Sequence, residues 1–264
     1  MHPMERLRHL ARAGAIGHQV LVEESVPALS GLSRDSGALV LSGRRLLQHH
    51  PASGPLTWLC ARVLCAEDAH AEAWRCAREI GEDTTDECLA GELPEASTVA
   101  VLGWPEVIAG ALARRGDMAS LVVDVGGDGE AFELVQRLRA IDIDAVEVAP
   151  AGMTAAVRAA DLVLLEAAAV GTEGFLAVSG SYAAAAVARH LGIPVWLVAG
   201  VGRVLPPGLW TAMTRRLERV QPWTATEEVV PLDLVEVVVR PSGVTAEAGL
   251  VAQRADCPDA AELR

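Results

Sequence analysis

Residues 161–200 constrain the fold of this chain more than any other stretch, because they have the pattern of a strand, a helix and a second strand. Residues 161–165 are apolar after the first position and too few for an amphipathic helix. Gly180 and Ser181 begin a helix with apolar residues at i, i+3, i+4 and i+7, and residues 195–198 are again apolar. The stretch therefore predicts a βαβ unit with two parallel strands and a right-handed crossover.

The flanking sequence divides into a helical part and a part in which strands and helices alternate. The first part contains no strand pattern, and we predict its helices at residues 4–13, 19–29, 38–49, 56–78 and, as a short helix or a loop, 82–90. In the second part we predict strands at 98–102, 121–125, 145–148 and 235–239, and helices at 106–115, 130–140, 155–159 and 207–219. Such alternation with short connections is typical of a parallel, doubly wound sheet.

These patterns predict an α/β protein with two domains. Residues 1–94 form a helical N-terminal domain, and residues 95–264 form a Rossmann-like parallel-sheet domain. A chain of 264 residues with 51% hydrophobic residues can bury a substantial core, which excludes a mainly disordered protein.

Charge and residue usage exclude several kinds of partner and chemistry. A net charge of -13 argues against nucleic acid or a membrane surface as the main partner. The sequence contains no lysine, so a Schiff-base lysine and a P-loop lysine are both excluded. The five cysteines have neither a CxxC pair nor metal-ligand spacing. We therefore expect no metal and no cofactor. We also expect a cytoplasmic protein, since the chain opens with no secretory leader pattern.

The candidate ligand-binding residues lie where the strands of the predicted sheet end. In an open parallel sheet, ligands bind beyond the carboxyl ends of the strands. Gly180 and Ser181 are the best candidates for binding a phosphate, because free backbone N–H groups and the helix dipole favour an anion there. The alternative is that Ser181 only caps its own helix. Gly103, Gly126 and Gly127 follow two other strands, although a tight turn is the simpler interpretation of the last two.

Glu166 is the one weak candidate for a catalytic residue. At a strand end it could act as an acid, a base or a nucleophile, with Asp124, Asp128 or Arg203 in support. It could equally be a solvated charge at the end of a strand. No GxSxG, HExxH or paired-carboxylate spacing accompanies it.

Three ungapped blocks resemble the signature region of the initiation factor 2B alpha/beta/delta-like family. That family includes methylthioribose-1-phosphate isomerase and ribose-1,5-bisphosphate isomerase, and its pattern is V-D-x-V-L-L-G-A-D-A-V, N-G-x-V-x-N-K-I-G-T-Y and H-G-I-P-V-x-V-x-A. The corresponding blocks here are ADLVLLEAAAV at 160–170, TEGFLAVSGSY at 172–182 and HLGIPVWLVA at 190–199. The resemblance implies a helical N-terminal domain, a Rossmann-like domain and a dimer or higher oligomer.

The isomerases of this family interconvert an aldose 1-phosphate and a ketose 1-phosphate with a cysteine and the aspartate of G-A-D. The cysteine position falls near Gly103 or Trp104, and the aspartate position holds Ala168. The substrate-binding Asn-Lys pair is replaced by Ala177 and Val178. None of these side chains can move a proton or stabilise an enediol. The resemblance therefore implies the fold without its chemistry.

Three hypotheses follow, from different functional classes. The first is a catalytically inactive relative that works as a binding or regulatory scaffold and binds at most a small phosphorylated metabolite or nucleotide. The second is an enzyme rebuilt around Glu166, with a closed pocket holding that residue and a second polar group. A scaffold should instead have this sheet edge filled by Trp104, Phe175 and Leu176. The third is that the helical half serves self-association, most simply in a homodimer.

Overall fold

The first half of the chain is a stack of helices, in agreement with the sequence. A computed structural model describes residues 17–126 and 129–264, so the predicted helix at 4–13 lies outside the described residues. The five helices are α1 (His18–Ser30), α2 (Ser36–His49), α3 (Gly54–Cys65), α4 (Ala69–Gly81) and α5 (Thr85–Glu92). Asp35 caps α2, and its carboxylate accepts a hydrogen bond from the Ala38 N–H at 2.9 Å.

The single long helix predicted over residues 56–78 is wrong, because the chain breaks between α3 and α4. Asp68 precedes α4, and its carboxylate accepts a hydrogen bond from the Ala71 N–H at 3.0 Å. An aspartate that binds the backbone in this way starts a new helix rather than continuing the old one.

The second half contains a sheet of seven strands with helices between them. The strands are β1 (Thr98–Leu102), β2 (Ala119–Val123), β3 (Asp144–Val148), β4 (Leu162–Glu166), β7 (Val195–Val198), β9 (Val237–Arg240) and β10 (Gly243–Thr245). Their order is β10-β9-β7-β4-β1-β2-β3, and every neighbouring pair is parallel except β10 with β9. The helices are α6 (Glu106–Arg115), α7 (Glu130–Arg139), α8 (Met153–Ala159), α9 (Ser181–Leu191), α10 (Pro207–Leu217) and α11 (Ala248–Val251). The predicted α/β fold class is confirmed.

The βαβ unit of residues 161–200 is present, but it contains an insertion that the sequence analysis did not identify. Strands β4 and β7 pair in parallel, and α9 lies between them in the chain. Between β4 and α9 the chain forms the hairpin β5 (Ala169–Gly171) and β6 (Gly174–Val178). Strand β8 (Glu227–Val230) joins β6 to complete a separate antiparallel sheet of three strands. The pairing of β8 with β6 spans about fifty residues, so no local pattern marks it.

The apolar core of the helical half extends into the second half of the chain. Trp58 of α3 is buried in one cluster with Trp210 and Met213 of α10. Two further clusters, which contain the residues of the central strands, hold the rest of the buried apolar side chains in the described part of the chain. The predicted boundary near residue 94 falls in the connection between α5 and β1, and the division into two domains stays a prediction.

Membrane-spanning helices are absent from the part of the chain that the structure describes. None of the helices within residues 17–126 and 129–264 has the length and apolar character needed to cross a bilayer.

Candidate functional site

Glu166 lies at the carboxyl end of β4, where both of its oxygens are bound by the protein itself. Oε2 accepts hydrogen bonds from the N–H groups of Val107 at 2.9 Å and Ile108 at 3.2 Å. Oε1 accepts a hydrogen bond from Nη2 of Arg203 at 2.9 Å, and this guanidinium also donates to the Ala167 carbonyl. The side chains of Glu166 and Arg203 are only 9% and 5% exposed. Glu166 therefore caps the N-terminus of α6 and forms a buried ion pair.

Arg203, one of the three residues considered as supports for Glu166, thus contacts it. The other two residues are Asp124 and Asp128. Asp124 follows β2, where its N–H donates to the Val148 carbonyl at 2.9 Å. Asp128 lies outside the described residues. Pro105 precedes α6 and has no side-chain hydrogen bond to offer, which explains why the helix takes its cap from another strand.

Glu106, at the start of α6, caps the N-terminus of α1, as Glu166 caps that of α6. Its Oε2 accepts a hydrogen bond from the His18 N–H, the first of α1, at 3.0 Å. Burial raises the pKa of the Glu106 carboxyl, and the charge of Glu166 raises it further, against the opposite effect of Arg203. Glu106 therefore bridges the helical half and the sheet edge while carrying a poorly compensated charge.

A cavity of about 130 Å³ separates the helical half from this edge of the sheet. Its charged lining consists of three carboxylates, Asp83, Asp86 and Glu106, and one guanidinium, Arg203. Burial, together with the charge of Arg203, lowers the pKa of the His18 imidazole at the cavity wall to about 3. The imidazole is therefore neutral at physiological pH, and the cavity has an excess of negative charge that disfavours a phosphate.

The N-terminus of α9 is the site that the sequence analysis proposed for an anion, and a carboxylate of the chain lies there. Oε1 of Glu228 accepts hydrogen bonds from the N–H groups of Gly180 at 2.7 Å and Tyr182 at 2.9 Å. The Ser181 hydroxyl points away and donates to the Val178 carbonyl at 2.6 Å. Gly180 has a φ of 102°, a backbone conformation that favours glycine. The N–H groups at the start of α9 thus donate to a carboxylate of the chain, that of Glu228, and phosphate binding at Gly180 and Ser181 stays a prediction.

Two of the other predicted ligand-binding residues, Gly103 and Gly126, lie near Val125 in the described part of the chain. A Cβ built on Gly103 would lie 3.7 Å from Val125, and one built on Gly180 would lie 3.1 Å from the same side chain. Gly126 follows Val125 directly, and Gly127 lies outside the described residues. That they bind a ligand stays a prediction.

A scaffold was expected to have this sheet edge filled by Trp104, Phe175 and Leu176, but these three residues do not all lie at the edge. Phe175 and Leu176 are buried in the core, with exposures of 0% and 1%. Trp104, which with Gly103 lies near the position where the resemblance implies a cysteine, is partly buried, and the Arg137 guanidinium lies 4.6 Å from its ring centroid. This cation–π contact holds the indole at the sheet edge and provides no nucleophile.

Three acidic residues of this edge were missed by the sequence analysis. The sequence could have identified Glu106 as a candidate, because it lies in the first turn of a predicted helix, where the helix dipole stabilises a negative charge. Asp83 accepts a hydrogen bond from the Val201 N–H at 2.9 Å, across 118 residues of chain, and Glu228 binds α9 across 46 or more. Contacts over such separations leave no signal in a single sequence. Among the described residues, no group of three or more His, Cys, Asp or Glu side chains is arranged to hold a metal ion.

Comparison with known proteins gives matches to solved structures alone. No protein-family model and no curated protein sequence matches the chain. The translation initiation factor eIF-2B of Pyrococcus horikoshii OT3 matches with a TM-score of 0.79 at 14% identity, over 92% of this chain and 96% of that one. A chain of the tetrameric eIF2B-beta2-delta2 complex from C. thermophilum matches with a TM-score of 0.75 at 18% identity, over 95% and 92%. The eIF-2B subunit delta of A. fulgidus matches with a TM-score of 0.63 at 14% identity, over 96% and 92%. The chain therefore has the fold of the eIF2B subunits, which confirms at the level of fold the resemblance stated from the sequence.

Proposed function

We propose that this chain is an initiation factor 2B-like protein that works as a binding or regulatory scaffold and does not catalyse sugar-phosphate isomerisation. The observation that supports this most directly is the way the glutamates of the sheet edge are used. Glu166, Glu106 and Glu228 each bind the backbone N–H groups of a helix N-terminus. Carboxylates engaged in this way maintain the fold and are poorly placed to move protons.

The chemistry of aldose–ketose isomerisation supports the same conclusion. That reaction needs a group to transfer a proton between adjacent carbons and another to stabilise the enediol. The position of the catalytic cysteine falls near Gly103 or Trp104, and Ala168 occupies the position of the catalytic aspartate. Ala177 and Val178 replace the substrate-binding Asn-Lys pair that the resemblance implies. Ala168 instead supplies its carbonyl to the Gly54 N–H at 3.0 Å, which ties the sheet edge to the start of α3.

Association with further copies of the chain is the second part of the proposal. One of the solved structures of this fold is a tetrameric complex of two kinds of subunit. We propose a homo-oligomer, most simply a dimer, in which the helical half contributes to self-association. Light scattering over a range of concentrations tests this part, and a strict monomer at the highest concentration contradicts it.

The third part of the proposal concerns the ligand and the compartment. A small phosphorylated metabolite or nucleotide would bind at Gly180 and Ser181, with Gly103, Gly126 and Gly127 around it, and would replace Glu228 there. No cofactor is required. A cytoplasmic location agrees with the five cysteines, all of which are free.

A turnover assay on a panel of aldose 1-phosphates tests the absence of catalysis. We expect no turnover above the uncatalysed rate, and a thermal-shift panel of sugar phosphates and nucleotides tests the ligand part separately. Turnover by the wild-type protein would contradict the proposal. Its loss in Glu166→Gln would then identify the rebuilt enzyme, which the buried Glu166–Arg203 pair beside the cavity favours as the second candidate.

A further inference from the structure

We infer that Trp223 of one copy of this chain inserts into a cavity beside the α3–α4 connection of a second copy. This inference rests on the oligomer part of the proposed function and names the two surfaces that meet. One surface is an exposed indole with basic neighbours, which follows α10. The other is an open cavity with an acidic rim, which lies in the helical half. Neither feature has a role within a single copy.

Trp223 is the most exposed large apolar side chain in the described part of the chain, at 82%. It lies in a short 3₁₀ helix after α10, where Pro222 fixes the backbone and the Thr224 N–H donates to the Gln221 carbonyl at 2.9 Å. Val220, three residues earlier, is 44% exposed. An aromatic side chain that the fold holds in water on a fixed turn is typical of an interface anchor.

The chain just before Trp223 is basic, although the protein has a net charge of -13. Arg215 and Arg219 are exposed at the end of α10 and just beyond it. The salt bridges found within residues 17–126 and 129–264 involve neither of them. Their guanidinium groups are therefore available to carboxylates of another molecule.

The receiving surface is a cavity of about 470 Å³ at the connection between α3 and α4. Cys65, Ala66 and Pro258 contribute apolar atoms to its wall. Cavities of this size bind aromatic groups, so an indole side chain fits. The Arg75 guanidinium in the same wall is 51% exposed and offers a cation for stacking against the ring.

The rim of this cavity carries an excess of negative charge. The two arginines of its lining, Arg62 and Arg75, both pair with Glu72. Glu67 and Asp68 are exposed on the rim, and the salt bridges of the described residues involve neither of them. The basic end of α10 and the acidic rim are therefore complementary in charge, which orients one copy on the other.

A two-fold axis makes the contact reciprocal. Each copy has both the indole and the cavity, so a dimer contains the contact twice. Tryptophan anchors in pockets contribute a large share of the binding free energy of interfaces. Removal of Trp223 should therefore weaken association far more than removal of an exposed aromatic side chain elsewhere.

Sedimentation equilibrium over a range of concentrations measures the dissociation constant of the dimer and tests this inference. In Trp223→Ala we expect the constant to rise at least about tenfold. Phe132→Ala is the matched control, since Phe132 is 50% exposed on α7 and belongs to neither surface. It should dissociate as the wild type does. Equal constants in the wild type and Trp223→Ala, or an equal rise in Phe132→Ala, overturn the inference.

Alkylation of Cys65 by iodoacetamide shows whether the indole enters this cavity. Cys65 is an exposed thiol in the cavity wall, so the dimer should protect it. At one protein concentration we expect alkylation to be up to about tenfold slower in the wild type than in Trp223→Ala, following the fraction of dimer. Cys88 is the internal reference, because it does not line the cavity. Equal rates at Cys65 in the dimeric wild type and the dissociated variant contradict the contact.

If Trp223→Ala does not fold, Glu67→Arg replaces it, because reversing a charge on the rim should also raise the dissociation constant. An unchanged constant in Glu67→Arg then overturns the inference equally. A wild type that is monomeric at every concentration removes the inference together with the oligomer part of the proposed function. An oligomer that Trp223→Ala leaves intact removes the inference alone.

Discussion

The N-termini of α6 and α9 are both capped by a glutamate from a distant strand, yet the two caps differ in what surrounds them. Glu166 at α6 is 9% exposed and is paired with Arg203, itself 5% exposed. Glu228 at α9 is partly exposed and forms no salt bridge with any residue that the structure describes. Each carboxylate accepts hydrogen bonds from two backbone N–H groups. The same local chemistry is thus built into the core in one place and left accessible in the other.

This difference predicts unequal contributions of the two caps to stability. A buried carboxylate that has lost its cation is costly, because nothing else compensates its charge. A partly exposed carboxylate that leaves a helix end can be replaced by water at little cost. The α6 cap should therefore contribute more to the free energy of unfolding than the α9 cap.

Removal of Arg203 should give the largest loss of stability. Arg203→Met leaves the Glu166 charge buried without its partner, and we expect the free energy of unfolding to fall by about 3–5 kcal/mol. Urea unfolding measures it. Arg114→Met is the matched control, since the 49% exposed Arg114 pairs with Asp86 at 2.7 Å and its loss should cost far less stability than the loss of Arg203. Similar losses in the two variants would show that burial does not distinguish these ion pairs.

Neutralising each of the two glutamate caps should lower the free energy of unfolding by a smaller amount, and more at α6 than at α9. Glu166→Gln weakens hydrogen bonds to a charged, buried guanidinium and should cost about 2–3 kcal/mol. Glu228→Gln weakens only a partly exposed cap and should cost about 0.5–1 kcal/mol. The same urea titrations measure both. Equal costs would mean that Glu228 is as important for stability as Glu166, despite the difference in exposure.

The sequence predicted the framework of this molecule better than the contacts of its site. Strand β1 and helix α6 have the predicted bounds, because periodicity and capping are local properties. The hairpin of β5 and β6 was missed, since its short strands lie among small residues between two stronger signals. Arg203, one of the three residues considered as supports for Glu166, does pair with it, because both follow strands that end at the same sheet edge.

The partners of the helix ends could not have been predicted from the same patterns. The sequence identified Gly180 as a residue with a free backbone N–H. The carboxylate that accepts its hydrogen bond belongs to β8, a strand that is defined only by its pairing with β6. Likewise Glu106 binds the start of α1 across 88 residues of chain. A single sequence shows which groups need a partner and does not show which distant group supplies it.

Glu106 provides the third cap and the smallest expected effect, with the opposite sign. Burial and the charge of Glu166 raise the pKa of its carboxyl above the ordinary value. A carboxyl with a raised pKa in the folded protein contributes stability that is complete below its ordinary pKa of about 4.3 and is lost as the pH rises through the folded value. Glu106→Gln should therefore be more stable than the wild type at pH 7, because it keeps an oxygen to accept the His18 N–H without the charge. We expect the Tm to rise by about 1–2 °C at pH 7, with the difference disappearing towards pH 4. Thermal unfolding at both pH values measures this, and a variant that is less stable at pH 7 would show that the charge of Glu106, rather than its hydrogen bond, holds α1 to the sheet edge.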